Sequence, residues 1–220
     1  MVKVKICGIT NARDARTAIK AGADFLGLNF YSGSPRYVTP ASARRIVKAV
    51  PRGTRWVGVF VNEDTARVAE IARKVGLHEV QLHGEESPDA VAKLRRELPV
   101  IKAIRVRRTI GSATLKRFTR ANALLIDGFD QRARGGTGKT FDWKIARRVG
   151  GKLRVFIAGG LNAENVAEAI RVARPYAVDI CSGVESASPR KKDAKKIAAL
   201  MAAVRAANAL SVGRKRSKRK

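Results

Sequence analysis

The sequence predicts an α/β protein whose parallel strands close into a single (β/α)8 TIM barrel. Short apolar segments alternate with amphipathic helical segments eight times along the chain. The strand segments are apolar throughout, which is typical of a parallel sheet covered by helices. A length of 220 residues with 45% hydrophobic residues suits one barrel or two small domains, and the eight repeats favour the barrel. The alternative is a doubly wound sheet, but no GxGxxG motif follows the first strand.

In the first half of the chain, capping residues separate the elements. Residues 2–6 alternate valine and isoleucine with lysine and end at Cys7. Asn11 can cap the helix that follows, and Gly22 can end it. Asn62 is expected to cap the third helix. The predicted strands are 2–6, 25–29, 56–61 and 79–82, and the helices are 11–21, 41–50, 62–75 and 88–97.

The second half repeats this order around one long connection. Residues 129–140 form a polar, glycine-rich loop that contains RARGGTGKT. Its length suggests a functional role, since long loops in compact domains commonly carry function. The predicted strands are 100–106, 123–126, 153–158 and 177–181, and the helices are 111–119, 143–149, 162–173 and 193–207.

The charge of the chain is strongly positive. It has 46 Lys and Arg against 18 Asp and Glu, and residues 214–220, RKRSKRK, carry six of the basic side chains. A basic surface steers anionic ligands but does not define a fold. No zinc-finger spacing, aromatic RNA-binding signature or heptad zipper is present, so we expect only non-specific nucleic-acid binding through the tail. We divide the chain into a catalytic barrel, 1–210, and a basic, disordered tail, 211–220.

The cysteine content and hydropathy indicate where the protein acts. Two distant cysteines form neither a disulfide framework nor a metal-ligand spacing, which favours a reducing compartment. The sequence has no apolar run of about 18 residues, no signal peptide and no lipidation motif. We therefore expect a soluble, cytoplasmic protein without a membrane partner.

Polar residues and glycines follow several predicted strands, at the end of a barrel where active sites are built. Cys7, His83 and Asp127 follow strands one, four and six. The pairs Gly159-Gly160 and Ser182-Gly183 follow strands seven and eight. In TIM barrels the loops after strands seven and eight often bind phosphate through backbone N–H groups, and glycine lets the phosphate oxygens approach the backbone. We predict a phosphate site there, with ordinary turn glycines as the alternative.

Longer motifs carry a resemblance to a known family. They are VKICGIT at 4–10, GADFLGLNFYSGSPRYV at 22–38, VGVFVN at 57–62, VQLHGEE at 80–86, LLIDG at 124–128, GGTGKTFDW at 135–143, AGGLNAENV at 158–166 and VDICSGVES at 178–186. In this order, over nearly the whole chain, the sequence resembles the phosphoribosylanthranilate isomerases of tryptophan biosynthesis. The resemblance implies an Amadori rearrangement of N-(5'-phosphoribosyl)anthranilate to 1-(2-carboxyphenylamino)-1-deoxyribulose 5-phosphate, a small phosphorylated anion, without cofactor or metal.

The resemblance also implies roles for individual residues. Asp127 is the general acid that protonates the furanose ring oxygen, and Cys7 is the general base that removes the C2' proton. Arg36 binds the anthranilate carboxylate, which suits a planar guanidinium group. Asp179 positions the substrate or Arg36, or forms a structural ion pair. His83 matches a family position and either contacts the substrate or is a hydrogen-bonded residue at a strand end.

Two other functional classes stay open at this point. One is another phosphate-binding barrel isomerase, such as the aminoaldose isomerase of histidine biosynthesis, which is expected to carry an aspartate where this chain has Cys7. The other is a nucleic-acid-associated barrel that uses the basic tail. Strands one and eight are neighbours in a closed barrel, so Cys7 and Cys181 are candidates for oxidative pairing that disables the enzyme. We expect a monomer or a homodimer.

Overall fold

Eight parallel strands form a closed barrel, in which each strand pairs with the next and the eighth pairs with the first. The computed structural model describes residues 1–106, 112–128, 143, 146–147 and 153–217. The strands are β1 (Lys3–Ile6), β2 (Phe25–Asn29), β3 (Arg55–Phe60), β4 (Glu79–Leu82), β5 (Val100–Arg105), β6 (Ala123–Asp127), β7 (Arg154–Ala158) and β8 (Ala177–Ile180). The predicted fold class is confirmed.

Helices on the outside connect the strands, as a parallel sheet requires. In the described part of the chain they are α1 (Ala12–Ala21), α2 (Pro40–Lys48), α3 (Thr65–Val75), α4 (Pro88–Leu94), α5 (Ser112–Arg117), α6 (Val166–Ala173) and α7 (Ala194–Ser217), with a 3-10 turn at Ser182–Val184. None of these helices combines the length and hydropathy needed to cross a bilayer. The predicted loop 129–140, and most of the predicted helix 143–149, lie outside the described residues.

Two helix ends test the capping predictions. The Asn11 side chain accepts a hydrogen bond from the backbone N–H of Asp14, and Gly22 ends α1 with φ of 101°, as predicted. The prediction for Asn62 is wrong, because Asp64 caps α3. Asn62 instead adopts φ of 52°, and its side chain accepts from the backbone N–H of Glu85. Asparagine tolerates this left-handed conformation, so it serves as a turn residue between two loops.

The last two helices also differ from the prediction. The helix α6 starts at Val166 rather than at residue 162, because the Asn162 side chain accepts from the backbone N–H groups of Glu164 and Asn165 in a turn. The helix α7 continues to Ser217, so residues 211–217 are helical where a disordered tail was expected. Lysine and arginine are good helix formers, and no proline interrupts the segment.

The barrel interior holds its own hydrophobic cluster, separate from the larger core between strands and helices. Its buried members are Phe25, Val57, Ile101, Ala103, Ala123, Leu125, Phe156, Ala158 and Ala177. Successive side chains of a strand point to opposite faces, so this cluster identifies the inward positions of the six strands that contribute to it, and the strand register extends them to β1 and β4. On β1 the inward position is Lys5, which is fully buried, while Val4 and Ile6 belong to the outer core. The lysines of β1 are therefore not all on the solvent side.

Candidate active site

Cys7 and Asp127 lie at the carboxyl ends of two barrel strands. Cys7 directly follows β1, is 8% exposed, and donates its backbone N–H to the carbonyl of Ile180 at 2.8 Å. Asp127 is the last residue of β6, and its side chain is 21% exposed. Both continue the inward alternation of their strands, after Lys5 and Leu125 respectively. A thiol and a carboxyl group thus lie at the same mouth of the barrel.

Directly below Cys7, a lysine and an aspartate form an ion pair inside the barrel. Lys5 Nζ donates to Asp179 Oδ2 at 2.8 Å, and the two side chains are 0% and 7% exposed. Asp179 therefore makes an ion pair within the barrel, one of the alternatives left open above, and its recorded contact is not with Arg36. Burial raises the pKa of Asp179 to about 7, although the charge of Lys5 opposes this.

The two cysteines lie side by side on neighbouring strands. Ile6 pairs with Ile180, so the next residues, Cys7 and Cys181, follow in register. Both thiols are free. A hydrogen bond from Cys181, together with the charges of Lys5 and Lys192, holds the pKa of Cys7 well below its usual range, against the effect of burial. The pKa of Cys181 is raised, because its thiol donates a hydrogen bond to Cys7 and because the group is buried. Cys7 is the more acidic thiol of the pair.

Arg36 lies above the cysteines and is held by a carboxylate. Its Nε and Nη2 donate to Oε1 and Oε2 of Glu185 at 2.6 and 2.7 Å. Glu185 also accepts from Lys192 Nζ at 3.0 Å. These hydrogen bonds raise the pKa of Arg36 and, with Lys192, keep the pKa of Glu185 below its usual range despite burial. Sequence reasoning assigned no role to Glu185, although it lies within the VDICSGVES motif.

His83 lies against Asp127. The His83 Nε2 atom is 3.2 Å from Asp127 Oδ2, and its Nδ1 atom is 2.7 Å from the Gln81 side-chain nitrogen. When the Gln81 amide donates to Nδ1, the ring proton lies on Nε2 and is donated to Oδ2 of Asp127, an oxygen that can accept in both the ionised and the protonated carboxyl group. The observed partner of this predicted site residue is thus the carboxyl group of Asp127.

A buried lysine holds the loop that carries His83. Lys102, which is 2% exposed, donates to the carbonyl groups of Leu82 and Gly84 at 3.2 and 2.7 Å and to Glu86 at 2.8 Å. These acceptors lie on both sides of His83 in the chain. Sequence reasoning missed Lys102, whose only signal was a charged residue between the apolar residues of a strand.

The four predicted phosphate-site residues lie in two adjoining loops. Gly159 and Gly160 have φ of +95° and +64°. A Cβ atom on Gly159 would lie 2.5 Å from the carbonyl oxygen of Gly128, whereas one on Gly160 would enter open space. Gly183, next to Ser182 in the 3-10 turn, packs against the carbonyl group of Leu161 and so joins the loops after β7 and β8. Gly159 thus serves packing, and Gly160 lines open space.

No cluster of three or more His, Cys, Asp or Glu side chains is arranged to hold a metal ion in residues 1–106, 112–128 and 153–217. The expectation of cofactor-free chemistry stays a prediction.

Comparison with known proteins relates this arrangement to one family. The family model described as N-(5'phosphoribosyl)anthranilate (PRA) isomerase matches residues 4–203. An N-(5'-phosphoribosyl)anthranilate isomerase of Pelobacter propionicus is 50% identical over 199 residues, which are 90% of this chain and 92% of the relative. That of Trichlorobacter lovleyi is 48% identical over 198 residues, or 90% and 95% of the two chains.

Solved structures agree with these matches. Phosphoribosyl anthranilate isomerase of Thermotoga maritima superposes with a TM-score of 0.83 at 41% identity, covering 94% of this chain and 100% of that one. A structure of such an isomerase in complex with reduced 1-(o-carboxyphenylamino)-1-deoxyribulose 5-phosphate gives a TM-score of 0.79 at 41% identity, covering 91% of this chain and 97% of that one. Monomers generated from the dimeric Thermotoga maritima protein give a TM-score of 0.80 at 39% identity, covering 94% of this chain and 100% of that one. The chain therefore belongs to the family of N-(5'-phosphoribosyl)anthranilate isomerases.

Proposed function

We propose that Cys7 and Asp127 provide the base and the acid with which this chain, an isomerase of tryptophan biosynthesis, converts N-(5'-phosphoribosyl)anthranilate into 1-(2-carboxyphenylamino)-1-deoxyribulose 5-phosphate. The reaction is an Amadori rearrangement of an aminoaldose into an aminoketose. The observation that carries the proposal is the position of the Cys7 thiol, at the end of β1 and at the same barrel mouth as the carboxyl group of Asp127 at the end of β6.

The first step opens the furanose ring. Asp127 donates a proton to the ring oxygen while the bond from that oxygen to C1' breaks. The lone pair of the anthranilate nitrogen then forms the C1'=N bond of a cationic Schiff base. The contact of Asp127 with His83 Nε2, at 3.2 Å, supports this role because it orients the carboxyl group.

The second step removes the proton from C2'. The Cys7 thiolate takes this proton, the C2'–H electrons form a C1'=C2' double bond, and the imine nitrogen receives the displaced pair. The resulting enolamine tautomerises to the aminoketone. A lowered thiol pKa supports this role, because it raises the fraction of thiolate near neutral pH.

Two groups of residues suit the two charged ends of the substrate. Glu185 engages the Nε–Nη2 edge of Arg36, which leaves the Nη1 end of the guanidinium group for the anthranilate carboxylate. Gly159, Gly160, Ser182 and Gly183 would bind the 5'-phosphate through backbone N–H groups, and the open space beside Gly160 supports this. The net charge of +28 favours the approach of a substrate with both anionic groups.

The remaining expectations about partners and location are also proposals. We propose a cytoplasmic enzyme, since two free thiols at the site suit a reducing compartment. We propose a monomer or a homodimer, and we propose no specific nucleic-acid partner.

A genetic test addresses the reaction and the two roles together. We expect the wild-type chain to rescue a tryptophan auxotroph that lacks this isomerase, and Cys7→Ala and Asp127→Ala to fail. In purified protein each variant should lower kcat by about 10²- to 10⁴-fold, while circular dichroism shows an intact fold. A histidine auxotroph that lacks its aminoaldose isomerase is the matched control and should not be rescued. Full rescue of the tryptophan auxotroph by either variant would contradict the assigned roles.

A further inference from the structure

Lys5 is a fully buried lysine on the same face of β1 as Cys7. Its side chain is 0% exposed and lies inside the barrel, two residues before the thiol. Lysine is almost never fully buried unless it is paired, because removing an ammonium group from water is costly. No step of the reaction proposed above is assigned to Lys5 itself.

One carboxylate compensates Lys5 only in part. Asp179 Oδ2 accepts from Nζ at 2.8 Å, whereas an ammonium group has three N–H donors. The other carboxylate oxygen, Oδ1, is buried without a hydrogen-bond partner among the described residues. The carboxyl group is therefore poorly solvated as an anion, and its pKa of about 7 means that it is partly protonated near neutral pH. Part of the Lys5 charge thus remains available to the other neighbour, Cys7, with which Lys5 interacts.

The other two cations near Cys7 both hydrogen-bond to a carboxylate that stays ionised. Arg36 and Lys192 both donate to Glu185, whose pKa is held low, so its charge persists at neutral pH. Lys192 approaches the sulfur of Cys181 at 4.0 Å rather than Cys7. The charged and titratable groups that act on Cys7 are, from the strands and loops around it, Lys5, Arg36, Asp179, Cys181 and Lys192.

We propose that Lys5 is a positioning residue that stabilises the Cys7 thiolate from inside the barrel, and that Asp179 determines how strongly the charge of Lys5 stabilises the thiolate. This inference rests on the proposed role of Cys7 as the base. It gives the buried pair a task in the reaction, in addition to its place in the fold.

A purely structural role of Lys5 makes a different prediction. If Lys5 only neutralises Asp179, removing both charges together should leave the thiol unchanged. The double variant Lys5→Met with Asp179→Asn tests this, because it leaves no unpaired charge in the barrel. The single variant Lys5→Arg keeps the positive charge.

The test measures the titration of Cys7 by the ultraviolet absorbance of its thiolate, with Cys7→Ser as the blank that removes the contribution of Cys181. We expect the pKa of Cys7 to rise by about one pH unit or more in Lys5→Met and in the double variant, and to stay near the wild-type value in Lys5→Arg. Asp179→Asn alone should lower it, because the carboxylate no longer offsets Lys5. When kcat/KM is plotted against pH, the acidic limb should move with the thiol pKa in each variant.

Each outcome decides the proposal. A double variant whose Cys7 titrates as in the wild type overturns it, as does Asp179→Asn with a raised thiol pKa. If Lys5→Met does not fold, the double variant and Asp179→Asn still give opposite expected shifts. The proposed function fails separately, if Cys7→Ser keeps full activity, since the thiol titration does not depend on catalysis.

Discussion

Gly27, in the middle of β2, lies directly against the thiol of Cys7. A Cβ atom on Gly27 would be 2.7 Å from Cys7 Sγ and 3.1 Å from Cys7 Cα. Gly27 follows the inward alternation of Phe25, so its missing side chain leaves space inside the barrel mouth. The absence of a side chain at Gly27 on β2 therefore leaves room for Cys7, the proposed base, at the end of the neighbouring strand β1.

Gly27→Ala should displace the Cys7 thiol. We expect kcat to fall at least about tenfold, because small displacements of a catalytic group are costly, and the free energy of unfolding to fall by about 1–3 kcal/mol from overpacking. Enzyme kinetics and urea unfolding measure the two effects. As a control, Gly27→Ala in a Cys7→Ala background should lose much less stability, because the sulfur is gone. An equal loss in both backgrounds would show that the methyl group meets something other than the thiol.

Glu185→Gln should loosen Arg36. Glutamine keeps the size of the side chain but offers Arg36 and Lys192 no charge. We expect KM for the substrate to rise about tenfold or more, the equivalent of one weakened charged hydrogen bond, with a smaller change in kcat. The control is Glu70→Gln on the exposed face of α3, which should leave both constants unchanged. A loss confined to kcat would argue against Arg36 as a carboxylate ligand.

Gly160→Ala should show whether Gly160 takes part in phosphate binding or only forms a turn. Both Gly160 and Gly76 have left-handed φ, of 64° and 84°, and a Cβ atom on either meets nothing within 4 Å. Alanine at either position should therefore cost about 1–2 kcal/mol of stability. Only Gly160→Ala should also raise KM and weaken inhibition by inorganic phosphate, measured in steady-state assays. Matching kinetics in the two variants would make Gly160 an ordinary turn glycine.

Asp179 should give the fold a characteristic pH dependence. Its pKa in the folded chain is about 7, against an ordinary value of 3.8, so the folded state binds more protons than the unfolded state between these values. The stabilisation from this group is complete below the ordinary pKa and is lost as pH rises through about 7. Urea unfolding should therefore show the stability of the wild type, relative to Asp179→Asn, decreasing from about pH 4 to about pH 8. A constant difference would mean that the carboxyl group titrates alike in both states.

Oxidation should join Cys7 to Cys181 and stop catalysis. A peroxide would oxidise the Cys7 thiolate to a sulfenic acid and release hydroxide, and the Cys181 thiol would then form the disulfide and release water. We expect loss of activity with loss of both titratable thiols, and recovery with dithiothreitol. Cys181→Ser should form no internal disulfide, as peptide mass analysis would show. Two free thiols and full activity after mild peroxide treatment would rule this out.

Local sequence patterns determine much of this protein. Apolar strand segments, helix caps such as Asn11 and Gly22, and polar residues after strands depend on neighbours within a few positions. They were sufficient to predict the order of the elements and the closed barrel, and they placed Cys7 and Asp127 at strand ends. The roles of these two residues came from the resemblance to a family, since a pattern of strands and turns does not assign chemistry.

Closure of the barrel decided what local patterns leave open. Lys5 and Asp179 are 174 residues apart, and Arg36 and Glu185 are 149 apart, so no local pattern pairs them. Asn62 and Asp64 are both suitable caps by residue type, and contact with the next loop selected Asp64 for α3. The sequence alone determined which residues reach the mouth of the barrel. Only the tertiary structure decided which charges meet there, because the energy of a buried charge depends on partners that the fold brings close.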